Sequence, residues 1–234
     1  MTRRSPAALL SAAFTVAALL SAAPASAQAD NMSFFLTSSG PGNGADLGGI
    51  EGADAYCNLL AYAVGQGGKD WRAYVSTTGA NPENARDRIG AGPWYNFEGV
   101  MIARDATDLH SDNANITKAT VLTEWGNVVR ARGDTPNTHD ILTGSDLQGR
   151  VVAGADDTTC ANWTSGTTGS AMVGHFDRTG GGANPESWNS AHASRGCSQT
   201  DLQGSGGNGY FYCFATGAGM QQALPQSRPE SIQR

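Results

Sequence analysis

Gly209-Tyr210-Phe211-Tyr212-Cys213-Phe214-Ala215 is the stretch on which the fold turns. It is aromatic and uninterrupted, so it predicts a buried strand that closes the domain. A different period appears near the other end. Ile50, Ala53, Cys57, Leu60, Ala61 and Val64 recur at helical spacing, which predicts an amphipathic helix with Cys57 on its inner face. Gly65 to Gly68 stop that helix. Before it, residues 33–38 read as a strand and Gly40-Pro41-Gly42-Asn43-Gly44 as a loop. After it, Trp71 to Ser76 alternate like a strand. Trp94 to Phe97 and Val100 to Ala103 predict a pair about a turn at Glu98-Gly99. Val121-Leu122 and Asn127-Val128-Val129 suit a hairpin about Glu124-Trp125-Gly126, or else Thr123-Glu124-Trp125 opens a helical turn. Residues 105–118 read as loop. From Asp156 to about Asn208 regular periodicity is lost, with Ala171-Met172-Val173 the exception. One early helix, many short strands and a long irregular excursion predict an α+β domain with an antiparallel sheet.

The chain opens with Arg3-Arg4, an apolar run from Ala7 to about Ala23, and Ala25-Ser26-Ala27. That order predicts a secretory signal over residues 1–27, cleaved after Ala27. The expected domain is 28–216, and the polar, Pro/Gln-rich residues 217–234 are expected to be a disordered tail. Export would place the protein outside the cytoplasm, secreted or periplasmic, and the signal has a bacterial look. The formal charge of the whole chain is −6. Loss of the signal removes two arginines and no acid, so the mature chain is more acidic still. Such a surface disfavours nucleic acid and sulfated polysaccharide and tolerates cations. With 31 glycines and only 15% charged residues, a secreted, loop-heavy domain is a natural user of disulfides. Cys57, Cys160, Cys197 and Cys213 allow three pairings.

Several segments in order carry a resemblance. They are Cys57 on the first helix, Trp71-Arg72-Ala73-Tyr74-Val75-Ser76, Arg86-Asp87-Arg88-Ile89, Gly92-Pro93-Trp94-Tyr95-Asn96-Phe97, Asp140 to Arg150, Cys160-Ala161-Asn162-Trp163-Thr164 and Tyr210 to Cys213. Together they resemble the endostatin-like branch of the C-type lectin-like fold, over roughly residues 33–216. The resemblance implies the pairs Cys57–Cys213 and Cys160–Cys197, the second closing the base of a long loop. It also implies a calcium-assisted sugar site in that loop. Asn184-Pro185-Glu186 holds the residue types of the family's Glu-Pro-Asn motif in reverse, and Trp188-Asn189 matches its Trp-Asn, although Ser190 stands where the family has an acid.

The candidate ligand-binding residues are therefore Asp177, Asn184, Glu186, Trp188, Asn189 and His192. Asp177, Asn184, Glu186 and Asn189 are the candidate calcium ligands, since calcium collects six to eight oxygens. An indole such as Trp188 can stack on a sugar ring or pack a core, and Trp163 reads as core. His175-Phe176-Asp177 and His192 could converge on zinc, but no metal motif is present, and loop histidines are usually hydrogen-bonded or solvated. Ser190 and His192 are near in sequence without any nucleophile motif. Arg132-Gly133-Asp134 reads as an ordinary turn. The expectation is a non-enzymatic binding module for glycan. A module for a cell-surface protein partner, without a sugar site, is the first alternative, and a hydrolase is the second.

Overall fold

The computed structural model describes residues 27–154 and 157–218. The predicted signal, apart from Ala27, and residues 219–234 of the predicted tail lie outside them. The final strand is longer than the sequence suggested. β8 runs from Gly207 to Ala218 and is the spine of a six-stranded sheet. β1 (Phe34–Leu36) pairs with it antiparallel on one side, Phe35 facing Cys213. β2 (Lys69–Ala73) pairs antiparallel too, placing Ala73 against Cys213. β5 (Asp140–Leu142) runs parallel to the first part of β8, and β6 (Met172–His175) and β7 (His192–Ala193) continue the sheet antiparallel. The sheet is thus mixed rather than wholly antiparallel. β3 (Trp94–Tyr95) and β4 (Met101–Ala103) form a separate pair about the predicted turn. The 121–129 segment is a hairpin-like turn with a single bridge between Leu122 and Val128.

The uninterrupted apolar strands follow from burial on both sides. Strand side chains alternate. Phe211, Cys213 and Ala215 enter one core with Phe35, Trp71, Ala73 and Trp163; Tyr212 and Phe214 enter the other with Phe34, Tyr74, Trp94 and Trp188. α1 (Gly49–Ala63) lies on the first face through Ala53, Cys57 and Ala61, spaced by four. Its acidic residue at the same buried stripe, Asp54, is neutralised by Arg88 and Arg72 at 2.7 and 2.8 Å. Disulfides join Cys57 to Cys213 and Cys160 to Cys197, as the resemblance implied.

Three short helices escaped the sequence reading: α2 (Ala85–Arg88), α3 (Ala106–Leu109), whose first turn is capped by Asp105, and α5 (Gln199–Ser205), capped by Ser198. The last, with β6 and β7, shows that residues 156–208 hold more regular structure than their periodicity indicates. α4 (Cys160–Trp163) is one left-handed turn, with φ between 50° and 66° at all four residues. Such backbone costs about 1–2 kcal/mol per non-glycine residue. It is held by the disulfide, by Asp157 accepting from the Thr159 and Ala161 amides, and by the buried Trp163 indole, which donates to the Ser76 carbonyl at 2.8 Å. No helix among the described residues is long and apolar enough to cross a membrane.

Candidate metal centre

Strand register assembles the site. Asp140 stands opposite His175 in the β5–β6 pair, and Val173 stands opposite His192 in the β6–β7 pair. Val173 and His175 are two apart and share a face, so Asp140, His175 and His192 meet on that face. His139 enters from the turn before β5, its ring stacked on that of His175 with centroids 4.2 Å apart. The Nε2 atoms of His139, His175 and His192 lie 3.2, 3.3 and 3.6 Å from one oxygen, Oδ1 of Asp140. Tetrahedral zinc with bonds of about 2.0–2.1 Å separates its ligand atoms by about 3.3 Å. The side chains of His139, Asp140 and His175 are 6, 1 and 1% exposed, against 25% for His192. Among the described residues no other three His, Cys, Asp or Glu side chains group this way; the ligand atoms of His139, Asp140 and His175 all lie within 4.8 Å of one another.

The tautomers are fixed by what each ring touches on its far side. Nδ1 of His139 meets the Asp177 carboxylate at 3.0 Å, Nδ1 of His175 meets the Pro185 carbonyl at 2.8 Å, and Nδ1 of His192 meets the Ala193 carbonyl at 2.9 Å. Carbonyls and carboxylates only accept, so every Nδ1 carries the proton and donates. In the neutral rings each Nε2 is then a lone pair. Three Nε2 atoms thus gather about one carboxylate oxygen, His139 and His175 within one tight group with Asp140 and His192 at its edge, the donor types and outer hydrogen bonding of a metal-binding histidine cluster.

The centre is poorly satisfied by the protein alone. Oδ1 and Oδ2 of Asp140 and Nε2 of His175 are buried with no hydrogen-bond partner. The histidine contacts to Oδ1 are at ion-pair range but in no hydrogen-bonding orientation. A buried polar atom without a partner costs about 1–3 kcal/mol, and more when charged. Burial alone would raise the Asp140 carboxyl, but the surrounding histidines outweigh it and hold it below the usual carboxylate range. The same carboxylate raises His192. Burial likewise opposes ionisation of Asp177, yet His139 and the Arg132 and Thr179 amides bring it to about 2. The His139 and His175 planes are 7° from parallel, so both lone pairs aim at one point only once the rings splay.

The residues singled out in the sequence fall into three places. His192 joins the centre. Asp177 serves it indirectly by orienting His139, and so is not a free calcium ligand. Asn184 and Glu186 line an open cleft of about 490 Å³ together with His110, Asp112, Leu147 and Gln148. Trp188 is only 4% exposed, packed against Tyr74 and Tyr212 at 4.9 and 5.4 Å, so its faces serve the core and not a sugar. Asn189 is buried at the base of the cleft, its amide donating to the Tyr74 hydroxyl and the Asp146 carbonyl. Asn184 donates to the Ser190 carbonyl. Of the four expected calcium ligands, Asp177 is engaged with His139, Asn184 and Asn189 are tied to the loop through Ser187, and Glu186 is exposed on the rim of the cleft. His139 and Asp140 had no signal in the sequence beyond being adjacent. The Arg132-Gly133-Asp134 segment is a turn, with the Asp134 amide donating to the Ala131 carbonyl.

No protein-family model matches this sequence, and no curated protein matches it.

Proposed function

We propose that the chain is an extracytoplasmic binding module that carries a transition-metal ion, zinc first, on His139, Asp140, His175 and His192. The observation behind this reading is the convergence of three tautomer-fixed Nε2 atoms on one buried, unpartnered carboxylate. Imidazole nitrogen suits zinc, copper, nickel or iron, whereas calcium prefers an all-oxygen shell. The disulfide pairing supports a C-type lectin-like scaffold and an oxidising location. Calorimetric titration of metal-free protein with Zn²⁺ tests the proposal. One ion per chain is expected, lost in the Asp140→Asn/His175→Ala double variant; no uptake by the wild type, or equal uptake by the double variant, overturns it.

A second reading concerns the cleft beside Asn184 and Glu186. Its lining of amide, acid and hydroxyl groups around the exposed Leu147 favours a neutral polyhydroxyl ligand such as a glycan. A glycan array with and without EDTA tests it, and silence under both conditions removes the sugar. A partner pulled down despite chelation and competing monosaccharides would instead make it a protein-binding surface.

A further inference from the structure

We infer that the centre is a three-ligand platform with one exchangeable position. His139, Asp140 and His175 hold the ion, and His192 gives way to a small anionic donor from solvent. This rests on the metal reading above and adds to it how the site is used.

The four ligands are not equivalent. His139 is anchored by the Asp177 carboxylate, at 3.0 and 3.2 Å to its two oxygens, and Asp177 is itself fixed by the backbone amides of Arg132 and Thr179. His175 is anchored by the Pro185 carbonyl and shut in by the backbone at Gly180, where a Cβ would collide with its ring. Asp140 is enclosed in the sheet between β6 and β8. His192 differs in every respect. It sits on a two-residue strand at the edge of the sheet, is a quarter exposed, is the farthest of the three from Asp140 Oδ1, and is held only by its neighbour's carbonyl.

The mouth on the His192 side is also bare. Gly180-Gly181-Gly182 pass over His175 and His192 as backbone, contributing no side chain that could cap an incoming ligand. A Cβ at Gly182 would lie 2.8 Å from the His192 Cβ, so glycine there leaves the ring room beside the chain. Charge selects the incoming group. Two neutral imidazoles and one carboxylate leave a divalent ion with a net positive charge, which the Asp177 carboxylate behind His139 offsets only across the ring, so an anion replaces His192 better than a neutral donor does. Three protein ligands and one solvent-accessible position is the arrangement of zinc sites that bind exogenous groups, as against the closed four-ligand sites that only staple a fold.

Cobalt-loaded full-length protein provides the test, because the visible bands of tetrahedral Co²⁺ report each ligand change. Azide is the probe. In the wild type, azide must displace His192, so its apparent affinity is the intrinsic affinity multiplied by the fraction of time that His192 is off the ion. Removing the competitor in His192→Ala should tighten azide by about 10-fold while cobalt is retained. The same variant should release cobalt to a chelator faster than the wild type. His192→Gln repeats the test with a bulkier side chain, and His175→Ala should lose cobalt altogether. A wild type whose cobalt bands ignore azide, or a His192→Ala protein as unable to hold cobalt as His175→Ala, overturns the exchangeable position and leaves the metal site standing. A wild type that takes up no cobalt and no zinc overturns both.

Discussion

Replacing Asp177 by Asn isolates the outer support of the proposed centre. Asn is the same size, and its carbonyl can still accept the proton on His139 Nδ1, now at 3.0 Å from a carboxylate oxygen. What is lost is the negative charge that makes the imidazole a stronger base and that stabilises it once bound to a cation. Loss of such a partner typically lowers metal affinity about 10–100-fold, which is about 1.4–2.7 kcal/mol. At zinc well above both dissociation constants the stability gained on adding zinc should differ between the two proteins by the same amount, about 3–11 °C in the zinc-induced rise in Tm for a domain of this size. The assay is competition against a chromophoric chelator, with thermal unfolding as the second readout. Asp134→Asn, which removes a half-buried acid paired with Lys118 and with the Ala131 amide, is the control for nonspecific loss of negative charge. If Asp177→Asn binds zinc as tightly as the Asp134→Asn control does, then Asp177 does not support a metal ligand and the assignment of His139 to the centre is wrong.

Two further outcomes test the frame that positions the site. Asp54→Ala should cost about 3 kcal/mol, or roughly 10 °C in Tm, because it leaves the nearly buried Arg88 with only the half-exposed Glu83 as a partner and the buried Ala73 amide with none; a loss under about 1 kcal/mol in chemical unfolding would contradict this. His110 gives a pH dependence remote from the metal ligands. Burial lowers its pKa, the Tyr74 hydroxyl faces its Nε2, its Nδ1 donates to the Ala106 carbonyl, and Arg86, Asp146 and Arg150 are the nearby charges. Its depressed folded-state pKa means that the unfolded chain takes up the proton first, so its contribution is full above about pH 6.5 and is lost as pH falls through the folded value. With EDTA present, the drop in unfolding free energy from pH 7 to pH 5 should be smaller in His110→Gln than in the wild type, and equal drops would remove His110 as the source.

The sheet spine and the helix were legible because each announces itself locally. Tyr210 to Ala215 had to be buried on any fold, and Cys57 lay on an apolar stripe that could only face inward. The parallel β5–β8 pairing was not legible, since nothing in Asp140-Ile141-Leu142 distinguishes a parallel neighbour from an antiparallel one. α3 and α5 are one or two turns long, too short for a period to emerge; their caps, Asp105 and Ser198, are residue types equally common in loops. The left-handed turn at Cys160-Ala161-Asn162-Trp163 runs against the preference of every residue in it except Asn162. It exists because a disulfide, a buried indole and the Asp157 carboxylate together fix it.

The metal centre was hidden for a different reason. Metal motifs readable in a sequence place two ligands on one turn or one helix face, so that local geometry brings them together. Here Asp140, His175 and His192 lie on three different strands, and only pairing register makes them neighbours. A slip of one residue in β6 would turn His175 to the opposite face of the sheet and bring Gly174 to its place. Gly174 also explains why that slip does not occur. A Cβ at that position would run into the carbonyl of Trp188, so the backbone of the long loop packs directly on β6 there. Trp188 is in turn pinned by its core contacts and by Tyr212, whose hydroxyl donates to the same carbonyl at 3.0 Å. The aromatic core therefore sets the register that aims His175 at Asp140. The residues that make the chemistry and the residues that make it possible are separate sets, and only the second carries the periodic signal that a sequence displays.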